Sequence, residues 1–403
     1  MRVLIINSVC GTGSTGRICV DIANILTEEG HECKIAYGRK KADEKFNNYA
    51  VRIGSNLGVR IHGVLSRVFD NTGFYSTFAT KKFIKWVKEY DPDVLNLHNL
   101  HGYYINIKLL FEYLKESGKP VVWTLHDCWS FTGHCAYFCS VNCKKWHQGC
   151  HNCSKKKEYP ASLIFDNSKN NYKRKKQLIT QLDNLTIVTP SKWLSDLTRE
   201  SFLNKFPVHV INNGINTDNF KVTKGDFVRI YGIENKKIIL GVASVWESRK
   251  GLNDFLELRT LLDDSFAIVL VGLTEQQKSE LPQGIIGITR TENVEQLAEI
   301  YTAADVLVNP TKEENYPTVN LEAQACGTPV VTYDTGGSAE CLIEGVGAVT
   351  TEKTPEALKI AILDVLSKDI KIDTEALKQE FSQKERFKAY INLFEEIRLG
   401  NEK

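Results

Sequence analysis

Two glutamates with seven residues between them, Glu314 and Glu322, sit in Asn309 to Val331, the stretch that carries most chemical information in this chain. An apolar run ending at Asn309 reads as a strand that enters a polar loop. Pro317 suits the first position of a helix, and Gly327 ends that helix before a second strand, Pro329–Tyr333. A carboxylate in a loop at the carboxyl end of a parallel strand faces the crevice where α/β proteins bind ligands. The helix behind it presents free backbone N–H groups and a positive dipole end, which suit a phosphate. One glutamate would then grip sugar hydroxyls, the other a ribose, and the helix start a diphosphate. On its own the pair also reads as two surface glutamates of an ordinary strand–loop–helix, so its companions matter.

Gly11, Gly13 and Gly16 spell G-x-G-x-x-G after a strand over Val3–Ile6 and ahead of a helix opening near Ile18. A dinucleotide fold would need an acidic residue closing the second strand, yet that strand ends in the basic run Tyr37–Lys41. A P-loop fails as well, because Arg17 and Ile18 stand where Lys and Ser or Thr are required. What remains is a tight turn that lets backbone approach a ligand without side-chain bulk. Three histidines, His98, His101 and His126, end two consecutive strands and so gather at the ligand edge of one sheet.

Six of the 11 cysteines fall between Cys128 and Cys153. Cys135, Cys143, Cys150 and Cys153 follow C-x₇-C-x₆-C-x₂-C, with His134, His147 and His151 interleaved. The C-x₂-C end has the knuckle spacing of zinc sites, and four thiolates would close a structural site with no open position for chemistry. Packed free thiols are the alternative. Two basic stretches, Lys81–Lys88 and Lys173–Lys176, read either as a peripheral membrane face or as solvated helices packing an apolar side inward.

The elements that must position these residues alternate along the chain. Strand-like runs fall at Val3–Ile6, Cys33–Tyr37, Val94–Leu97, Val121–Thr124 and Thr186–Thr189, then at Lys237–Val242, Ala267–Val271, Val306–Asn309 and Pro329–Tyr333, with helical patterns between. That alternation predicts parallel sheets covered by helices, one doubly wound unit in each half. The Gly/Asn-rich stretch Val210–Phe220 marks the boundary. The expected domains are 1–210 with a Cys-rich insertion at 128–160, then 211–372, and a terminal helix over 373–403 returning to the first domain.

A chain of 403 residues with 42% hydrophobic content fills two cores, and a net charge of +2 argues against a dedicated nucleic-acid binder. No apolar run approaches bilayer length, and the N-terminal segment enters a strand directly rather than forming a secretion signal. Eleven cysteines without an export signal imply a reducing compartment and free thiols. The expected location is the cytoplasm, with the inner face of the cell membrane as a peripheral option.

Glu-x₇-Glu followed by EAxACGTPVV resembles the donor-site signature of retaining glycosyltransferases of family 4, and the VW-x₂-RKG loop Val245–Gly251 resembles that of a colanic-acid-type subgroup. The resemblance implies a GT-B fold: two Rossmann-like doubly wound domains facing a central cleft. It implies transfer of a sugar from a UDP- or GDP-linked donor to a glycan or lipid-linked acceptor in bacterial surface polysaccharide synthesis, with no catalytic metal. Gly241–Gly251 matches the family's phosphate-gripping loop, whose lysine is Lys250, and the helix-start loop matches the family's glycine-rich turn. By this resemblance His126, Glu314 and Lys250 are catalytic. Donor binding falls to Gly13, Gly16, Arg249, Lys250, Asn315, Tyr316, Pro317, Thr318 and Glu322, and the acceptor side to His98 and His101. One departure stands out: the arginine usual six residues before the lysine is Ser244 here, leaving Arg249 as the substitute. A non-catalytic sugar-nucleotide-binding scaffold and a sugar phosphorylase are the alternatives on the same fold.

Overall fold

The computed structural model describes residues 1–368 and 370–401. The chain forms two compact units. One comprises Met1–Asn212 with the chain from Phe387 on, and the other comprises Asn213–Arg386.

The first unit holds seven parallel strands: β1 (Arg2–Asn7), β2 (Glu32–Tyr37), β3 (Ala50–Arg52), β4 (Val94–Leu97), β5 (Val121–Thr124), β6 (Leu185–Thr189) and β7 (Val208–Val210). Their order across the sheet is β3-β2-β1-β4-β5-β6-β7. The second unit holds six: β8 (Lys237–Val242), β9 (Phe266–Val271), β10 (Ile285–Ile288), β11 (Val306–Asn309), β12 (Val330–Tyr333) and β13 (Gly347–Thr350), ordered β10-β9-β8-β11-β12-β13. The central strands are near-continuous apolar runs because both faces are covered. Leu4 and Ile6 of β1 enter one core, while Val3 and Ile5 enter the other.

In both sheets the order reverses once, between β1 and β4 and between β8 and β11. Loops leaving neighbouring strands on either side of a reversal turn to opposite faces, which opens a crevice at the strands' carboxyl ends. The glycine loop follows β1 and the histidines follow β4 and β5. Lys250 follows β8, and Glu314 follows β11.

The four strands that sequence periodicity does not show, β3, β7, β10 and β13, lie at or next to the sheet edges and are three or four residues long. Only one of their residues is fully buried, so they lack the apolar run that marks a central strand. The domain limits also differ from expectation. Helix Thr374–Glu380 stays in the second unit, where Leu377 and Phe381 pack with Leu321, Ala325 and Tyr316. The backbone N–H of Ile215 donates to Phe381 O at 2.8 Å, and Gln383 N donates to Ile215 O at 2.9 Å, tying the two edges of that unit together. The return to the first unit is made within helix Gln383–Asn401, by Phe387, Tyr390, Ile391, Leu393 and Phe394 in the core beside Val3 and Ile5.

The Lys81–Lys88 stretch lies on an amphipathic helix with its apolar side inward, whereas the helix of Lys173–Lys176 buries a mixed side of Tyr172 and Ile179 with Ser168 and Asn171. Phe83 and Val87 are buried in helix Thr77–Tyr90, and Trp86 stacks between Phe83 and Tyr90 with ring centroids 6.0 and 5.1 Å away. In helix Ser168–Thr180, Lys175 is itself buried.

Candidate functional site

In the second unit, Lys250 ends a short 3₁₀ turn, Ser248–Lys250, that follows β8. Gly251 comes next in the left-handed region at φ +77°, and a Cβ there would lie 2.4 Å from the carbonyl oxygen of Pro310. Only glycine lets this loop press against the end of β11. The contact is sealed by Lys312 N donating to Arg249 O at 2.7 Å. It places the Lys250 ammonium in a close ion pair with Glu314 Oε2, while Arg249 Nη1 stands 3.9 Å from the same oxygen. Arg249 is oriented by the Glu313 carbonyl at 3.0 Å and the Glu247 carboxylate at 3.1 Å. Burial alone would raise the Glu314 pKa. The charges of Lys250 and Arg249, helped by hydrogen bonds from Lys250 and the Asn315 amide, outweigh it and hold the carboxyl below its usual value.

Helix Thr318–Ala325 begins after Pro317, which is the residue flanking the first turn rather than its first member, and no side chain caps it. Its leading amides and dipole sit one loop away from Glu314, and Pro317 gives them no side-chain cap. The helix is keyed to β11 from below: Asn309 Nδ2 donates to Asn320 Oδ1 at 2.8 Å, and Asn320 Nδ2 donates to Ser338 O at 3.2 Å. Glu322 Oε2 accepts from the buried Tyr301 hydroxyl at 2.8 Å. The side chains of Asn315 and Tyr316 are buried, and Arg386 reaches the Tyr316 hydroxyl at 3.3 Å. These two residues thus offer a ligand their backbone, while Arg386 and Asn213 shape the loop from behind.

In the first unit the helix after β1 starts at Gly13, not near Ile18, so Gly13 and Gly16 belong to its first turn. Gly13 is exposed at φ +66°, and Gly16 is buried beneath the loop, accepting from Gly11 N at 3.0 Å. A hydrogen-bonded chain links the histidines. Asn96 Nδ2 donates to Val122 O and Thr124 Oγ1, each at 3.2 Å, which leaves its Oδ1 to accept from His98 Nε2 at 2.8 Å. His98 Nδ1 must then accept from His126 Nε2, also at 2.8 Å. Both rings are neutral: burial, and for His98 the neighbouring His126, holds His98 well below the usual histidine pKa, and burial pulls His126 down to about 4. His101 Nε2 pairs with Asp127 at 2.9 Å, and His101 Nδ1 meets the Tyr159 hydroxyl at 3.1 Å. With His98 and His101 both buried, the structure gives them positioning roles: His98 sets the His126 ring, and His101 holds Asp127 and Tyr159.

The sequence profile described as Glycosyltransferase Family 4 matches residues 15–219, and a profile described as Glycosyl transferases group 1 matches residues 236–368. The chain belongs to glycosyltransferase family 4. The putative colanic acid biosynthesis glycosyl transferase WcaC of Escherichia coli K12 is 22% identical over 98% of this chain and 100% of its own length. An N,N'-diacetylbacillosaminyl-diphospho-undecaprenol alpha-1,3-N-acetylgalactosaminyltransferase of Campylobacter jejuni is 30% identical over 34% of this chain and 38% of its own length. Among solved structures, HepE of Anabaena in complex with UDP superposes with a TM-score of 0.68 at 14% identity, covering 98% of this chain and 100% of that one. The two doubly wound sheets are those of the GT-B fold.

Within this family 4 chain, Ser244 is exposed, and the second cation beside Lys250 is Arg249 from the adjacent position. Sequence reasoning overlooked Asn96, Asn309, Asn320 and Tyr301. The signal for the first two was a polar residue inside an apolar strand run, where an unpaired amide would be costly. Four-cysteine ligation has no preformed geometry: among the described residues no three His, Cys, Asp or Glu groups stand as a metal-binding set.

The neutral histidine pair carries a pH signature. His126 titrates near 6.5 when unfolded and at about 4 when folded, so the unfolded chain binds the extra proton in between. Stability contributed by this pair is complete above pH ~6.5 and is lost as pH falls through the folded value. His126→Asn should flatten the stability–pH slope between about pH 6.5 and 4 by up to ~1.4 kcal/mol per pH unit. Urea unfolding at several pH values checks this, and superimposable slopes would mean that the ring titrates normally.

Proposed function

We propose that this chain is a retaining glycosyltransferase that moves a sugar from a nucleoside diphosphate sugar to a glycan or lipid-linked acceptor in surface polysaccharide synthesis. The observation that carries the reading is the convergence of Lys250 and Arg249 on Glu314 beside an uncapped helix start. Two cations and a helix dipole suit the charge that grows on a leaving diphosphate, so the proposed reaction needs no catalytic metal. Glu314, kept ionised by those cations, is the acceptor of hydrogen bonds from the sugar; Glu322 takes the ribose. His126, neutral at pH 7 with its Nε2–H given to His98, would accept from a sugar hydroxyl through Nδ1 without adding charge. The UDP bound by the HepE neighbour and the lipid-diphosphate acceptor in the Campylobacter relative's name support UDP-linked donors and a polyprenyl-type acceptor. The retaining outcome rests on the family resemblance.

Calorimetry with UDP and GDP, followed by turnover with their sugars, tests the site. Lys250→Ala should weaken the preferred nucleoside diphosphate by roughly 2–4 kcal/mol, the effect of removing one charge-assisted hydrogen bond to a desolvated phosphate. Glu314→Gln should chiefly lower kcat, and Glu322→Gln chiefly raise the donor KM. Unchanged affinity in a folded Lys250→Ala protein removes that lysine from the donor site. Donor binding without any transfer across acceptor panels would favour the scaffold reading, and the anomeric configuration of the product decides retention.

For the proposed membrane contact, the exposed apolar side chains lie mainly on the helix that shares a groove with the Lys81–Lys88 stretch. Helix Asn56–Phe69 exposes Leu57, Ile61, Val64 and Phe69, and Phe165 stacks on Phe69 with ring centroids 5.7 Å apart. Leu163 and Ile164 extend this patch, hydrogen-bonded along the helix end through Leu163 N to Arg67 O at 2.7 Å. Alongside, a groove of about 680 Å³ is lined by Val59, Leu65, Phe83 and Trp86, with Arg52 and Lys82 among its lining residues. Among the described residues no helix is long and apolar enough to cross a membrane, so any contact made here is interfacial. Val64→Ser with Phe165→Ser should reduce co-sedimentation with anionic phospholipid vesicles at least several-fold while leaving donor binding intact. Equal sedimentation of both proteins places the contact elsewhere.

A further inference from the structure

Outside the donor and histidine residues, four cysteines share one small cavity. Residues 128–160 carry little regular structure beyond two short turns, Cys139–Val141 and Lys145–His147. Phe131, Phe138 and Trp146 give the segment an aromatic core, with Phe138 and Trp146 centroids 5.1 Å apart. Against that core lies a cavity of about 20 Å³ lined by Cys135, Cys143, Cys150, Cys153 and His134. A space of this size holds one atom-sized occupant, since a single water needs roughly 10–15 Å³. All four thiols are free, and those of Cys135 and Cys153 are within hydrogen-bonding reach of each other.

Two further groups point to a charged occupant. His134 is 2% exposed and its Nδ1 is held by Asp70, yet its Nε2 is buried without a hydrogen-bond partner. Buried imidazole nitrogens are ordinarily satisfied, and His134 is one of the residues that line the cavity. Lys175 is also buried, with its ammonium bound to the Trp129 carbonyl and 3.9 Å from that indole ring, and it interacts electrostatically with Cys150 and Cys135. An imidazole nitrogen and a buried ammonium beside four thiols are the surroundings that a cluster of thiolates requires.

We propose that Cys135, Cys143, Cys150 and Cys153 bind one zinc ion as a four-thiolate structural site. The four cysteines line the cavity without forming a ready-made metal-binding set among the described residues, so binding would turn their side chains inward. Each S–H bond that breaks releases a proton to solvent and leaves a thiolate that forms one Zn–S bond. No electron is transferred. The resulting charge of −2 is offset in part by the buried Lys175 ammonium. The consequence reaches the histidines, because Asp127 and Tyr159 flank this segment and both hold His101. The ion would close the loop whose two ends fix that ring.

The test uses the full chain purified without added metal. Elemental analysis should find about one zinc per chain. Cobalt exchange should give the visible and near-ultraviolet bands of tetrahedral cobalt–thiolate. Cys150→Ser should lose the metal while Cys139→Ser, in the same segment but off the cavity, keeps it. Chelation should speed proteolysis within residues 128–160 and leave nucleoside diphosphate binding unchanged, which separates this inference from the donor-site reading. Clearly substoichiometric zinc with all four thiols alkylated in the native wild-type protein overturns it. So does a Cys135–Cys153 disulfide in peptide maps. Neither readout depends on whether the Cys150→Ser variant folds.

Discussion

The single reversal of strand order in each sheet is the constraint from which everything functional here follows. Strands β8 and β11 are neighbours although 63 residues of chain separate Val242 from Val306. Their loops therefore emerge side by side, and a 3₁₀ turn with Lys250 meets a loop with Glu314 across a few ångströms. Had β11 paired with β9 or β10, the same residues would have been strangers. The first sheet repeats the device, bringing the glycine turn after β1 next to the histidines after β4 and β5.

Placing a part-buried carboxylate there has a cost, and the local chemistry answers it. A lone Glu314 would take up a proton to escape desolvation; with Lys250 in contact and Arg249 at 3.9 Å it stays ionised. The geometry needs a loop held to tight tolerance, which the buried Asn309–Asn320–Ser338 network provides beneath it. His126 is handled in the opposite way, by burial that keeps it uncharged. One sheet edge presents a fixed charge and the other a neutral polar ring, and in both cases an asparagine in or beside the strand does the anchoring.

Much of this was legible in the amino-acid sequence for reasons that are physical. Central parallel strands buried on both faces must be apolar throughout, so nine of them announce themselves. Edge strands such as Ala50–Arg52 and Gly347–Thr350 are short and half-solvated, and nothing in their composition separates them from loops. The Glu314–Glu322 spacing stood out because loop and helix signals surround it, whereas Lys250 was reached through the resemblance of Gly241–Gly251 to the family's phosphate-gripping loop. The opposite holds for His98 and His101, whose types were plain but whose burial depends on contacts from distant segments. Asp70 beside His134, and Lys175 inside a run that reads as a surface basic block, show the same limit: pairing at a separation of tens of residues leaves no local pattern.

The helix near the chain's end has a bearing on how this protein is made. Phe387, Tyr390 and Phe394 complete the core around Val3 and Ile5, so β1 depends on a segment that is translated long after it. At roughly 5–20 residues per second, the stretch between Ile5 and Phe387 takes about 20–75 s to make. The second unit is one continuous stretch, Asn213–Arg386, whereas through that interval the first exposes an apolar face that only this distant helix can cover. Nascent chains of this protein are thus a natural client for chaperones, and the vulnerable half is the one that was translated first.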